Sequence, residues 1–200
     1  MARPNASEKI LKAAKLCLIE GQGTFEMADV AKAADVSEGL AYHYFKSKAG
    51  LTSAIIQDFF ERYIAVVNRR FDGSIPWGER EFQRLQNVVD FLYEDPLASI
   101  IMGKVDSLPQ ASAVWELAQV ELNELSARNI QNGIERGHIP NAIDPGIAGA
   151  AIMGAIRQAF TYAMSQSERP DPDALATQLW QLIAGSVGLE TTIRTVAARP

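Results

Sequence analysis

Residues 27–46 read MADVAKAADVSEGLAYHYFK, and the organisation of the chain is decided there. Two short amphipathic stretches flank the break Asp35-Val36-Ser37. In a helix-turn-helix, two helices cross closely at a turn of about three or four residues. The crossing needs a small residue, which Ala31 supplies. The turn needs a residue that tolerates positive φ, and aspartate is among the few side chains that do so. Val36 is placed to plug the turn, and Ser37 to cap the next helix through its hydroxyl. Helical spacing turns Leu40 or Ala41, with Tyr44, inward. It leaves Glu38, Gly39, Tyr42 and His43 facing out.

Helical signals continue on both sides. Asn5 with Glu8 reads as a capping box, Ile10, Ala14, Cys17 and Leu18 form an apolar stripe, and Gly21 and Gly23 end that helix. After Phe45-Lys46-Ser47, a fourth helix is predicted from Ser47 to about Phe71, with Leu51, Ile55, Phe59, Tyr63, Val66 and Val67 inward. Longer helices are expected over 77–93, 97–104 and 109–136, the last ended by Gly137. Pro145 and Pro172 open two more, the first to about Ser165, the second through Trp180 and Leu189 towards Thr195. The expected fold is all-α: an N-terminal three-helix domain over 1–50, with its helix-turn-helix at about 26–46, then a larger helical domain over 51–200.

The segment ILKAAKLCLIEGQGTFEMADVAKAADVSEGLAYHYFKSKAGL, residues 10–51, resembles the N-terminal DNA-binding domain of TetR-family transcriptional regulators. The matching pieces are Ile10-Leu11, Ala13-Ala14, Gly21, Val30-Ala31, Ala33-Ala34, Val36-Ser37, Gly39, Tyr42-His43-Tyr44-Phe45, Lys48 and Leu51. The resemblance implies a homodimer with one recognition helix per subunit in successive major grooves of a palindromic operator. It implies DNA contacts from Ser37, Glu38, Gly39, Leu40, Tyr42, His43, Lys46 and Lys48, with Tyr44 and Phe45 packed inside. Ser37 and the free amides at the helix start suit a phosphate, Gly39 lets backbone approach DNA, and Lys48 supplies a point charge. The chain also departs from the family. Leu40-Ala41 stands where the family commonly has a hydroxyl residue followed by leucine. Leu40 either meets a thymine methyl or turns inward. Glu26 and Ala28 replace a common threonine and basic residue, and Glu26 would repel a nearby phosphate.

Charge distribution is consistent with a polyanion-facing head on an acidic body. The chain carries −5 overall, yet six of its seven lysines (Lys9, Lys12, Lys15, Lys32, Lys46, Lys48) lie in the first 50 residues. Hydrophobic residues make up 48% and charged residues 22%, which excludes a disordered or low-complexity chain. The single cysteine, Cys17, excludes an internal disulfide framework. The longest apolar run, 147–156, is short of the roughly 20 residues that span a bilayer. Catalysis is not expected: His43 and His138 are far apart, no phosphate-binding glycine loop occurs, and Glu94-Asp95 reads as a solvated helix end. No cofactor or metal is expected, nor a membrane partner, and the expected location is the cytoplasm.

In the resembled family, the domain after residue 50 holds a small-molecule pocket. Candidate lining residues are Phe59, Tyr63, Phe82, Leu85, Val89, Tyr93, Met102, Trp115, Gln119, Met153, Arg157, Gln158 and Phe160. Ordinary core packing is the alternative for each of them. The last two helices are the expected dimer surface. Gly149, Met153 and Gly154 on the first, with Leu179, Ile183 and Ser186 on the second, would form a four-helix bundle with the partner's helices; the alternative is that these stripes pack only within the subunit. The effector remains an unknown small molecule.

Overall fold

The computed structural model describes residues 5–104, 112–140 and 142–189. Among them are nine helices and no strand. These are α1 (Ala6–Glu20), α2 (Met27–Ala33), α3 (Glu38–Phe45), α4 (Lys48–Val67), α5 (Trp77–Glu94), α6 (Ala98–Lys104), α7 (Ser112–Glu135), α8 (Pro145–Ser165) and α9 (Pro172–Ser186). No helix among the described residues is long and apolar enough to cross a membrane.

Local chemistry sets most boundaries. Asn5 and Glu8 exchange both bonds of a capping box. Ser37 accepts from the Leu40 amide at 3.2 Å, and Ser47 from that of Gly50 at 3.0 Å. Asp144 and Asp171 cap α8 and α9, each with proline in the first turn. The fourth helix ends at Val67 rather than near Phe71. There the Arg84 guanidinium, from α5, donates to the carbonyls of Val67 and Arg69 and lies 4.9 Å from the Phe71 ring. A cation on the last carbonyls of a helix terminates it favourably. The predicted extension of α7 to Pro109 and that of α9 beyond residue 189 fall outside the described residues. Within them α9 ends at Ser186 rather than running through Leu189, because Gly188 turns to φ +74° and the Leu189 amide closes back on the Ala184 carbonyl at 2.9 Å.

Packing groups the chain into two compact units, 1–66 with 91–121 and 67–90 with 122–200. In the first, Ile10, Ala14, Val30, Ala41, Leu51 and Ile55 are wholly buried and close the three-helix head around α4. Farther along α4, Phe59 stacks with Tyr63 at 6.3 Å, and Phe91 meets both rings, at 5.5 and 5.8 Å. Phe60 packs on Trp115 at 5.2 Å. Burial pushes the Tyr63 hydroxyl pKa far up.

In the second unit, Trp77 donates its indole N–H to the Asn129 carbonyl at 3.2 Å. Its ring covers Gly133, where an added Cβ would stand 3.0 Å from it. Gly149 plays the same part between α8 and α7. A Cβ there would lie 2.7 Å from the Ala127 amide nitrogen and 3.1 Å from the Asn123 carbonyl oxygen. The glycine is used within the chain, which corrects its expected place on a dimer surface. Leu179 and Ile183 are likewise buried in their own unit.

Gly149→Val is therefore expected to destabilise the fold by about 1–3 kcal/mol through overpacking against backbone. At Gly154 an added Cβ meets open space, so Gly154→Ala should gain about 0.5–1 kcal/mol. Urea denaturation of the two variants checks both; a neutral Gly149→Val would contradict the close approach.

Candidate nucleic-acid interface

α3 has eight residues and one buried side chain, Ala41. Its position is therefore set mainly by its ends. At the leading end, Asp35 adopts φ +52°, and the Val36 amide donates to the Ala31 carbonyl at 3.0 Å. The turn closes on the buried Ala31 as the spacing predicts. At the trailing end, Lys46 adopts φ +66°, donates its amide to the Tyr42 carbonyl at 2.8 Å and its ammonium to the His43 carbonyl at 2.7 Å. A lysine in the left-handed region carries strain that glycine would not.

Held this way, α3 exposes Glu38, Gly39, Tyr42 and His43, with Ser37 before it and Lys46 after it. At Gly39 nothing stands within 4 Å of an added Cβ, so this backbone is open to close approach. Leu40 is half-buried while Ala41 is fully buried; alanine holds the inner position, and Leu40 keeps a surface at the rim. Tyr44 corrects the sequence reading. It is 45% exposed and meets His43 edge to face at 5.6 Å. Ala41 holds the fully buried position of this helix; Phe45 is half-buried.

Lys48, the first residue of α4, is engaged. Its ammonium lies 3.0 Å from Glu26 Oε1 and 5.6 Å from the centre of the Phe25 ring. Glu26 occupies the N-cap position of α2 without capping it; its carboxylate turns to Lys48 instead. The side chains are 43% and 72% exposed, so the pair is weak and exchangeable.

A chain of charges ties α1 to α4 and α6 within this unit. Lys15 lies 2.5 Å from Asp58, Arg62 bridges Asp58 at 2.9 Å, and Arg62 also pairs with Asp95. Asp95 Oδ1 accepts from the Leu97 amide at 2.9 Å, just before α6. Burial acts to raise the Asp58 pKa, but hydrogen bonds from Lys15 and Arg62 outweigh it and hold it below the usual value. Burial acts against the charge on Arg62, and its bonds to Asp95 and Asp58 more than restore it. Burial raises the Cys17 thiol, helped by Glu20 and Asp29; it is a poor nucleophile there.

The second unit contains a cavity of about 70 Å³. Its walls include Trp77, Leu85, Ile130, Met153 and Trp180, with Glu81, Arg84, Ser126 and Asn129 as the polar groups. Of the residues expected to line a pocket, Leu85 and Met153 do so here. Phe59, Tyr63 and Met102 are buried in the first unit, where Trp115 packs on Phe60, Tyr93 is half-buried and Gln119 is exposed. In the second unit Phe82 packs on Trp180 at 5.7 Å, Val89 and Phe160 are buried, Arg157 is half-buried and Gln158 is exposed. Sequence reading missed the two tryptophans, Arg84 and Ser126. The available signal was Ser126 and Asn129 beside Ile130 on one face of α7.

The outward face of α8 and α9 also differs from expectation. Gly154 and Ser186 are on it, whereas Met153 is half-buried at the cavity. The exposed apolar residues are Ile147 at 73%, Tyr162 at 66% and Leu182 at 62%. Ile147, Ala151, Gly154, Gln158 and Tyr162 follow one another at helical spacing, all exposed.

The family profile described as "Bacterial regulatory proteins, tetR family" matches residues 10–55. An uncharacterised HTH-type transcriptional regulator of Haemophilus influenzae is 31% identical over 109 residues, 54% of this chain and 58% of that protein. The HTH-type transcriptional repressor KstR of Mycobacterium tuberculosis is 33% identical over 119 residues, 56% of this chain and 52% of that protein. The chain thus spans little more than half the length of these curated relatives. The fold extends further. SmeT, the repressor of the Stenotrophomonas maltophilia multidrug efflux pump SmeDEF, superposes with a TM-score of 0.79 over 99% of this chain and 98% of that one, at 15% identity.

The charge chain predicts an acid-sensitive head. With its folded pKa depressed, Asp58 contributes stability that is complete above the unfolded value of about 3.9 and is lost as pH falls through the lower folded value. Asp58→Asn should lower the melting temperature at pH 7 and flatten its fall below about pH 4. Equal melting curves for variant and parent across that range would show that the chain adds nothing.

Proposed function

We propose that this chain, whose residues 10–55 match the tetR family profile, is a TetR-type, ligand-responsive transcriptional repressor. In this reading it binds a palindromic operator as a homodimer in the cytoplasm and is released by a small molecule. Residues 1–50 read DNA, and residues 51–200 bind the effector and dimerise. The observation that carries the reading is α3: an eight-residue helix with only Ala41 buried, fixed at both ends, offering its remaining surface to a partner. A helix in a major groove needs that geometry. Tyr42 and Lys46 suit phosphates, and His43 a base edge or phosphate. Ser37 accepts from an amide, and its O–H remains to donate. Repression is favoured because relatives of this sequence and fold are named repressors.

Dimerisation is assigned to the exposed face of α8 and α9, centred on Ile147, Gly154, Tyr162, Leu182 and Ser186. Contiguous exposed apolar surface marks an interaction site, and a two-fold operator calls for a two-fold protein. The effector is assigned to the cavity of the second unit. Arg84 is both a wall of that cavity and the clamp on the last α4 carbonyl, so a ligand that displaces it acts on the helix that begins at Lys48. Such coupling is reciprocal and is typically about 1–3 kcal/mol.

For DNA to engage Lys48, a phosphate replaces Glu26. Lys48→Ala should weaken binding to all sequences about equally. It should also flatten the slope of log affinity against log salt by about 2 for a dimer, at about 0.9 per phosphate. Glu26→Gln should tighten binding and leave operator preference unchanged. A Lys48→Ala protein with an unaltered slope and a lost preference at one base pair would show that Lys48 reads a base.

Leu182→Glu and Tyr162→Glu should each give folded monomers by sedimentation, with operator affinity reduced. Intact dimers of both variants would move the interface elsewhere.

A further inference from the structure

The polar groups of the cavity specify the chemistry of what enters it. Its volume of about 70 Å³ is that of about five waters, close to the bulk of one six-membered ring. Trp77, Trp180 and aliphatic side chains give it an apolar wall. The two charged residues on that wall are already paired with each other. Arg84 Nε donates to Glu81 Oε2 at 3.0 Å, with the side chains 15% and 14% exposed. Arg84 Nη1 donates to the carbonyls of Val67 and Arg69. An entering anion meets the Glu81 carboxylate on the same guanidinium, and an entering cation finds that carboxylate occupied. Either would be desolvated without a partner, which is strongly unfavourable.

Two neutral polar side chains are differently placed. Ser126 is 8% exposed and lines the cavity. Its hydroxyl makes no hydrogen bond among the described residues, and its oxygen is not among the sealed-off polar atoms, so it is open to whatever enters the cavity. Asn129, one turn further along α7, uses its backbone carbonyl for Trp77 and also lines the cavity.

We propose that this cavity binds an uncharged, compact, ring-sized apolar molecule bearing one hydrogen-bonding oxygen, an alcohol, phenol or ketone, with that oxygen on the Ser126 hydroxyl and the ring between Trp77 and Trp180. The proposal rests on the sensor reading above for its biological role, but not for its chemistry. An oxygen that meets the Ser126 hydroxyl gains a hydrogen bond that a hydrocarbon of the same size lacks, which discriminates more sharply than an added methylene does.

The test uses the full-length protein and three probes of one size at pH 7.5: cyclohexanol, cyclohexanecarboxylate and cyclohexylammonium. Thermal shift and tryptophan fluorescence are recorded at equal millimolar concentrations, with operator affinity measured in parallel. Cyclohexanol is expected to raise the melting temperature and shift the fluorescence, while the two ions do neither. Ser126→Ala, a small change that keeps the helix, should weaken cyclohexanol binding about five- to tenfold. The proposal is overturned by a charged probe that binds as well as cyclohexanol, by no response to any of the three, or by unchanged cyclohexanol affinity in Ser126→Ala. A charged probe that binds and releases operator overturns the ligand class and leaves the sensor reading standing. Cyclohexanol that binds without changing operator affinity does the reverse.

Discussion

The head of this molecule depends on a helix that buries little. Of the eight residues of α3 only Ala41 is fully buried, with Leu40 and Phe45 half-buried, so hydrophobic burial orients it less than it orients α1 or α4. The work falls to backbone geometry. A positive-φ aspartate and a serine cap fix the entry, and a positive-φ lysine that folds back on the helix fixes the exit. Because the restraint sits at the ends, the surface between them is free to carry recognition chemistry.

The elements decided by neighbours in sequence are legible in the sequence itself. The capping box at Asn5, the caps at Ser37 and Ser47, the prolines opening α8 and α9 and the left-handed Asp35 each involve residues within about one turn of one another. The end of α4 was not legible in this way. Its continuous apolar pattern runs past Val67, and the stop is imposed by Arg84, seventeen residues away. Tyr44 shows the same limit at shorter range. Its spacing from Ala41 puts it on the inner side of an ideal helix, yet it is 45% exposed.

The cavity of the second unit and the exposed face of α8 and α9 were the hardest to read, because both turn on volume. Phe59 and Tyr63 have the character of pocket residues, yet with Phe91 they fill one another's space. The cavity forms instead where two tryptophans, an ion pair and a serine leave a gap. Gly149 has the character of an interface residue, since small size permits close approach. Sequence does not say whose backbone approaches, and here it is α7 of the same chain. The exposed row from Ile147 to Tyr162 on α8 shares its helix with that glycine, one turn of the face away.

Lys46 places selection for stability and selection for binding in opposition. A glycine would relieve the strain of the positive φ, yet it would also remove the bond to the His43 carbonyl and the cation beside α3. An easier backbone at position 46 therefore comes only with the loss of the positive charge that the proposed DNA contact would use.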